Sequence, residues 1–228
     1  MKEDWEKNED TKTRLIEAAG EVFARRGFRS ATVREICGLA GTHVGAVNYH
    51  FRDKKGLYAA VLEYSHLSAV RRYPPDEGLP ADATAEQKLR AFIRSFVMRI
   101  LAEGFPTWHG KLMAREVVDP TGAVDQMVAG SVRPLYENLA GIVRELLHEE
   151  KRPDGEESGT TYLCAMSIVG QCLHHYLARQ VVTLLRPKGF DTARIDRIAE
   201  HITRFSLGGI RALAKSSPAS AGRRETQP

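Results

Sequence analysis

Apolar residues in this 228-residue chain recur every three to four positions almost from end to end, and no stretch alternates in the manner of a half-buried strand. The pattern predicts an all-α protein. A first helix covers about residues 10–26, with Leu15, Ala18, Ala19, Val22 and Phe23 on one face and Gly27 as its stop signal. Residues 32–57 then read as two short helices joined by a tight turn. Thr32 and Glu35 form a Thr-x-x-Glu capping box, in which each side chain bonds the other's orphan backbone N–H. Ile36, Leu39 and Ala40 make the apolar stripe, Gly41 ends the helix in a left-handed conformation, and Thr42 caps a second helix over His43–His50. This is a helix-turn-helix, which places its second helix in the DNA major groove. A fourth helix begins near Lys54, after the Asp53 cap, and runs through Leu57, Val61, Leu62 and Tyr64 to about Arg72. Residues 73–85, YPPDEGLPADATA, are broken by three prolines and read as a linker and domain boundary. Five further helices are predicted, at about 86–103, 107–118, 121–150 with a kink at Pro134, 159–186 and 191–214. Residues 151–158 form an exposed turn, and the tail 215–228 has no apolar face and is expected to be disordered.

Composition narrows the class. A hydrophobic content of 43% supports a sizeable core, and only 7% aromatics favours aliphatic helix packing over a β-sandwich. The net charge of +4 matters through its placement. Residues 11–60 carry nine Lys/Arg against four acids, giving +5, whereas the first ten carry two Lys against five acids, giving −3. The positive charge therefore sits on the helix-turn-helix, where counterion release from phosphates needs it. Cys164 and Cys172 are eight residues apart on one predicted helix. That is about 12 Å at 1.5 Å per residue, too far for a bridge, so with Cys37 they read as reduced thiols. MKEDWEKNED lacks the apolar core of a secretory signal, and no run reaches the ~18 apolar residues of a membrane span. A soluble cytoplasmic protein with no membrane partner is expected. There is no Gly-x-Ser-x-Gly elbow, phosphate-binding glycine loop or Cys-x-x-Cys pair, and Glu116 and Asp119 stand without an obvious carboxylate partner. Neither an enzyme nor a cofactor is expected. His174 and His175 with Cys172 invite a metal reading, but adjacent helical residues point about 100° apart. Only His201 is a plausible distant ligand, so no metal site is expected.

Residues 11–57 as a block closely resemble the N-terminal domain of the TetR family of bacterial repressors. The matching positions include Thr13-Arg14, Ile16, Ala18-Ala19, Phe23, Gly27-Phe28, Thr32-Val33, Ile36, Ala40-Gly41, Gly45, Tyr49-His50-Phe51, Lys54 and Leu57. The segment WHGKLMAREVVDPTGAVDQMV and Asn48 also resemble the CecR-type subgroup. The resemblance implies a three-helix DNA-binding head and a larger helical domain for ligand binding and dimerisation. It divides the chain into an N-terminal extension (1–9), the head (10–53), a connecting helix (54–72), the linker (73–85), the ligand-binding and dimerisation domain (86–214) and the tail. The implied function is a ligand-responsive regulator, most often a repressor in such a family, that binds a palindromic double-stranded DNA operator as a homodimer. A small hydrophobic or amphipathic effector would release it. Two departures lie on the recognition helix: most members carry Ser where this chain has His43, and Tyr where it has Asn48.

The DNA-contact candidates are Thr32, Arg34, Thr42, His43, Gly45, Ala46, Asn48, Tyr49, His50 and Lys54. Small Gly45 and Ala46 let the backbone approach the groove, and Ala46 suits a thymine methyl. Asn48 suits adenine or a phosphate. Tyr49 and Lys54 resemble family phosphate contacts, which position rather than specify; alternatively, Tyr49 and His50 only pack the head. For the effector, Trp108, Met113, Met127, Tyr136 and Met166 fall at helical spacing and fit either plain core or an adaptable apolar cavity. Glu116, Gln171 and His174 are the polar residues among them, able to orient a ligand or simply to face solvent. Ile195, Ile198, Ile202 and Phe205, followed by Gly208 and Gly209, fit a core stripe or a dimer seam, and the resemblance favours the seam. Two rivals remain: control by a protein partner or Cys37 oxidation, and a helical ligand-binding or catalytic protein with a vestigial head.

Overall fold

The computed structural model describes residues 2–101, 108–150, 155–185 and 195–216, and all the regular structure in them is helical. The chain divides into two compact units, one from Met1–Arg71 with Glu103–Arg133 and one from Arg72–Ala102 with Pro134–Pro228. The division does not follow the proline-rich stretch alone, because residues 108–133 pack with the N-terminal helices.

In the first unit, α1 (Lys2–Ser30) begins at Lys2, earlier than the start expected near residue 10. Nothing in that charged stretch stops a helix. Gly27 breaks α1 as expected, with φ 79° and ψ 163°, and a last turn follows to Ser30. α2 (Val33–Ala40) is capped by Thr32, whose hydroxyl accepts the Glu35 N–H at 3.2 Å. The other half of the capping box is not made. Glu35 turns instead to Arg25 and Arg26, at 2.7 and 2.8 Å, because charge-assisted bonds to two guanidiniums outweigh one neutral N–H. Gly41 is left-handed (φ 65°), and the Gly41 and Thr42 N–H groups close on the carbonyls of Gly38 and Cys37.

That turn uses up Thr42, so α3 (Val44–Phe51) starts one residue later than expected. His43 is its N-cap and makes no side-chain cap bond. α4 (Lys54–Arg72) follows, with Asp53 accepting the Gly56 N–H at 2.7 Å. Position 56 must be glycine for reasons of space: a Cβ there would lie 2.0 Å from the Phe51 carbonyl oxygen. α6 (Trp108–Val118, numbered after α5 below) lies on α1, with the Trp108 indole against Gly20. Leu15, Val22, Phe23, Ile36, Val47, Leu57, Tyr58 and Leu112 form the centre of one core. Each such side chain contributes about 1.5–3 kcal/mol by leaving water.

In the second unit, α5 (Ala85–Leu101) opens with a complete capping box. Thr84 Oγ1 accepts the Gln87 N–H, and Gln87 Oε1 accepts the Thr84 N–H. The preceding residues are not a bare linker. They turn tightly, bury Ala83, and offer the Tyr73 carbonyl to Ser95 Oγ at 2.6 Å. The segment predicted at 121–150 is α7 (Val124–Met127), one π turn over Val128–Val132, and α8 (Arg133–Leu147). The irregularity expected at Pro134 takes the form of a π turn just before it. Proline cannot donate and crowds the carbonyl four residues back, and widening the turn accommodates both.

The single helix expected at 159–186 is α9 (Gly159–Leu177) and α10 (Arg179–Leu185), broken at Ala178 with no local breaker residue. α11 (Ile195–Ser216) runs past the predicted start of the tail. Residues 217–228 lie outside the described residues, as do 102–107, 151–154 and 186–194. Leu89, Ile93 and Val97 of α5 pack with Leu139 and Val143 of α8, Ile168 and Cys172 of α9, and Ile198 and Ile202 of α11. Arg90–Glu200, Arg94–Asp196 and Arg211–Glu86 pairs flank the α5–α11 seam. Singly such exposed pairs are weak, but their order matches one register of the two helices.

Candidate nucleic-acid interface

The recognition helix shows which of its residues are available. Ala46, Val47 and Phe51 of α3 are buried in the head, which leaves Val44, Gly45, Asn48, Tyr49 and Arg52 on the outer face. Ala46 therefore cannot meet a thymine methyl. The exposed apolar side chain at the start of the helix is Val44, which the pattern reading passed over. Gly45 is exposed, and its missing side chain makes room for the His43 ring, whose Nδ1 lies 3.0 Å from where a Cβ would stand. Tyr49 is 76% exposed and meets His50 edge-on, at 5.0 Å between ring centroids. His50 is half-buried and also faces Phe51, so it belongs more to the packing of the head than to its surface.

Thr32 and Arg34 are exposed at the start of α2, and Thr42 is half-buried in the turn. Lys54 is placed differently from expectation. Its Nζ donates to the carbonyls of Ala31 (3.0 Å) and Arg29 (3.3 Å) and lies 4.8 Å from the centre of the Phe28 ring. The ammonium is committed to the end of α1, and the exposed cations beside α3 are Arg52 and Lys55. Arg52 holds φ at 74°, an uncommon conformation for a residue with a side chain. The Arg26 and Arg25 guanidiniums hold the Glu35 carboxyl below its ordinary pKa, Arg26 most strongly, and so tie α2 to α1.

The eight effector candidates fall four to each unit. Trp108, Met127 and Glu116 are buried in the first, with Met113 half-buried beside them. Glu116 accepts the Tyr58 hydroxyl at 2.7 Å and the Thr121 N–H at 3.2 Å. Burial and this carboxylate push the Tyr58 hydroxyl above its ordinary pKa. These groups floor a cleft of about 490 Å3, walled by Arg26, Arg29 and Arg115. In the second unit Tyr136 donates its hydroxyl to Glu157, Gln171 bonds Ser206 at 3.3 Å, and His174 is exposed. Met166, 41% exposed, lies on the outer face of α9 rather than in a cavity.

The dimer candidates also divide. Ile198 and Ile202 are buried in the chain's own core, with Ile195 partly buried against it, whereas Phe205, Gly208 and Gly209 are exposed. Cys37 is 2% exposed, and burial raises its pKa, which leaves an enclosed neutral thiol. Among the described residues no group of three His, Cys, Asp or Glu side chains could hold a metal ion. Nor is any described helix long and apolar enough to cross a membrane.

Comparison with known proteins agrees with this arrangement. Residues 15–61 match the bacterial regulatory proteins of the tetR family, and residues 85–210 match the C-terminal domain of the HTH-type transcriptional dual regulator CecR. Over 209 residues the chain is 26% identical to CecR of Shigella flexneri, covering 86% of this chain and 90% of that one. The fold is shared with the regulator FadR from Bacillus subtilis in complex with stearoyl-CoA (TM-score 0.61, 16% identity, 86% of this chain and 98% of that chain). It is shared equally with AibR in complex with isovaleryl coenzyme A and operator DNA (TM-score 0.61, 15% identity, 86% and 97%). The matched families consist of regulators and not enzymes. With a basic helix-turn-helix head at one end and a CecR-type domain over most of the remainder, this chain belongs to the TetR family of bacterial transcriptional regulators.

Proposed function

We propose that this regulator is an effector-responsive repressor that binds a palindromic operator as a homodimer. Its head would be residues 10–53, linked by 54–72 to an effector and dimerisation region at 86–214. The observation that carries the DNA half is the exposed face of α3, which presents Val44, Gly45, Asn48 and Tyr49 together on a positively charged head. His43 and Asn48 would carry the operator preference, with Thr32, Arg34 and Tyr49 on the phosphates. A two-fold dimer would set two such helices one DNA turn apart, about 34 Å, or somewhat more.

For the effector, FadR and AibR were solved with acyl-CoA thioesters, so an acyl thioester is the amphipathic ligand we favour. α6 supports a route from effector to DNA. It lies within the CecR-type match, yet Trp108 packs on Gly20 of the DNA head and Glu116 accepts the Tyr58 hydroxyl of the connecting helix. Control by Cys37 oxidation is disfavoured by that thiol's burial.

Fluorescence anisotropy with DNA from upstream of its own gene tests the reading. Asn48→Ala is expected to lose about 1–3 kcal/mol of discrimination at one base-pair position, whereas Tyr49→Ala weakens binding to every sequence alike. A uniform loss from Asn48→Ala removes its base-reading role, and no salt-sensitive specific binding by the wild type removes the proposal.

A further inference from the structure

The core of the second unit contains a cation, Arg99, that no described carboxylate neutralises. Arg99, in the last turn of α5, is 7% exposed. Its guanidinium carbon lies 5.3 Å from the centre of the Phe96 ring, and the Cys172 thiol of α9 is close by. Its Nη1 is buried without a hydrogen-bond acceptor among the described residues. The α5 arginines that do have acidic partners, Arg90 and Arg94, are half-exposed at the α11 seam. Burial lowers the Arg99 pKa to about 10 and pushes Cys172 up to about 12. At neutral pH the two are therefore a guanidinium and an uncharged thiol, not an ion pair. Burying a charge without a counter-charge is heavily penalised, whereas an apolar side chain of similar volume is not. Arg99 is thus a poor choice for stability alone.

We propose that Arg99 is the docking point for the acidic head of an apolar effector, a carboxylate- or phosphate-bearing amphiphile whose chain lies among the aliphatic and aromatic side chains of α5, α8 and α9. The guanidinium supplies the charge and a free N–H, and the Cys172 S–H a second, weaker donor. The inference rests on residues 86–214 taking an effector, and adds the charge of its head.

The test is thermal unfolding and operator release by the full-length protein with decanoate, decanoyl-coenzyme A and decanol. At least one of the acids is expected to raise the wild-type midpoint and release DNA at concentrations at least tenfold below decanol. Whichever acid prevails tells carboxylate from phosphate. In Arg99→Leu that tenfold preference disappears while the unliganded midpoint is unchanged or higher, and Arg99→Lys keeps part of the preference. A lowered unliganded midpoint in Arg99→Leu, or an acid preference that survives it, makes Arg99 a structural residue and overturns the proposal. If decanol equals the acids and still releases DNA, the effector reading stands and the role of Arg99 falls. If none of the three binds, both fall.

Discussion

Gly56→Ala is expected to cost the head about 3 kcal/mol, the upper range for overpacking, and to abolish operator binding at concentrations where the wild type is saturated. The added methyl would stand 2.0 Å from the Phe51 carbonyl oxygen. That oxygen is a backbone atom at the end of the recognition helix and cannot rotate aside as a side chain would. Relief requires α3 and α4 to part, which breaks the Asp53 bond to the Gly56 N–H and shifts Val47 and Phe51 in the core. The face that carries Asn48 and Tyr49 moves with them. Denaturant titration followed by Trp108 fluorescence measures the first effect, since that indole is buried against α1, and anisotropy with operator DNA measures the second. A variant with wild-type midpoint and affinity would show that the junction yields more easily than this geometry implies.

If the proposed homodimer forms through the exposed faces of α9 and α11, Phe205→Glu is expected to give a folded monomer whose operator affinity is at least ~100-fold weaker, because each head would then bind without the effective concentration of its twin. Phe205 is 66% exposed on α11, and on α9 Tyr162, Leu163 and Met166 are exposed as well. The two helices touch through Gln171 and Ser206. Gly170, Gly208 and Gly209 have open space where a side chain would be, so a second backbone can approach closely. Ile202→Glu, at a position 1% exposed, is expected instead to unfold the unit. Sedimentation velocity with circular dichroism separates the outcomes, and a Phe205→Glu protein that stays dimeric places the interface elsewhere.

Local signals carried the head. Gly41, Thr32 and Asp53 act through bonds within a few residues, so their roles could be read directly from the chain. Ala46 could not be placed that way, because which face of α3 is buried is decided by packing against other helices rather than within it. The Thr32–Glu35 box failed for a different reason: nothing in four residues reveals two arginines waiting on another helix. Periodicity in α11 marked a buried stripe without saying what covers it, and Ile198 and Ile202 proved to be covered by their own chain. The effector set was the least legible. Spacing on separate helices does not say which helices meet, and four of the eight residues pack with the head. Arg99 escaped notice because a single arginine in an apolar helix looks like a solvated one until its burial is known.

His43 occupies a position where a serine, the commoner choice in this family, would bond the open N–H groups of the first turn. Such a cap is typically worth about 1 kcal/mol, and this chain forgoes it, since His43 makes no side-chain cap bond. α3 is thereby left without a side-chain cap at its N-terminus, and its leading amides should exchange with solvent faster than those of α2, which is capped at both ends. On the proposed operator, part of the ordering of that turn would then be deferred to the bound state. In the operator complex proposed above, that ordering would be drawn from the binding affinity, and an imidazole without a cap bond would be free to adjust to the base step it meets.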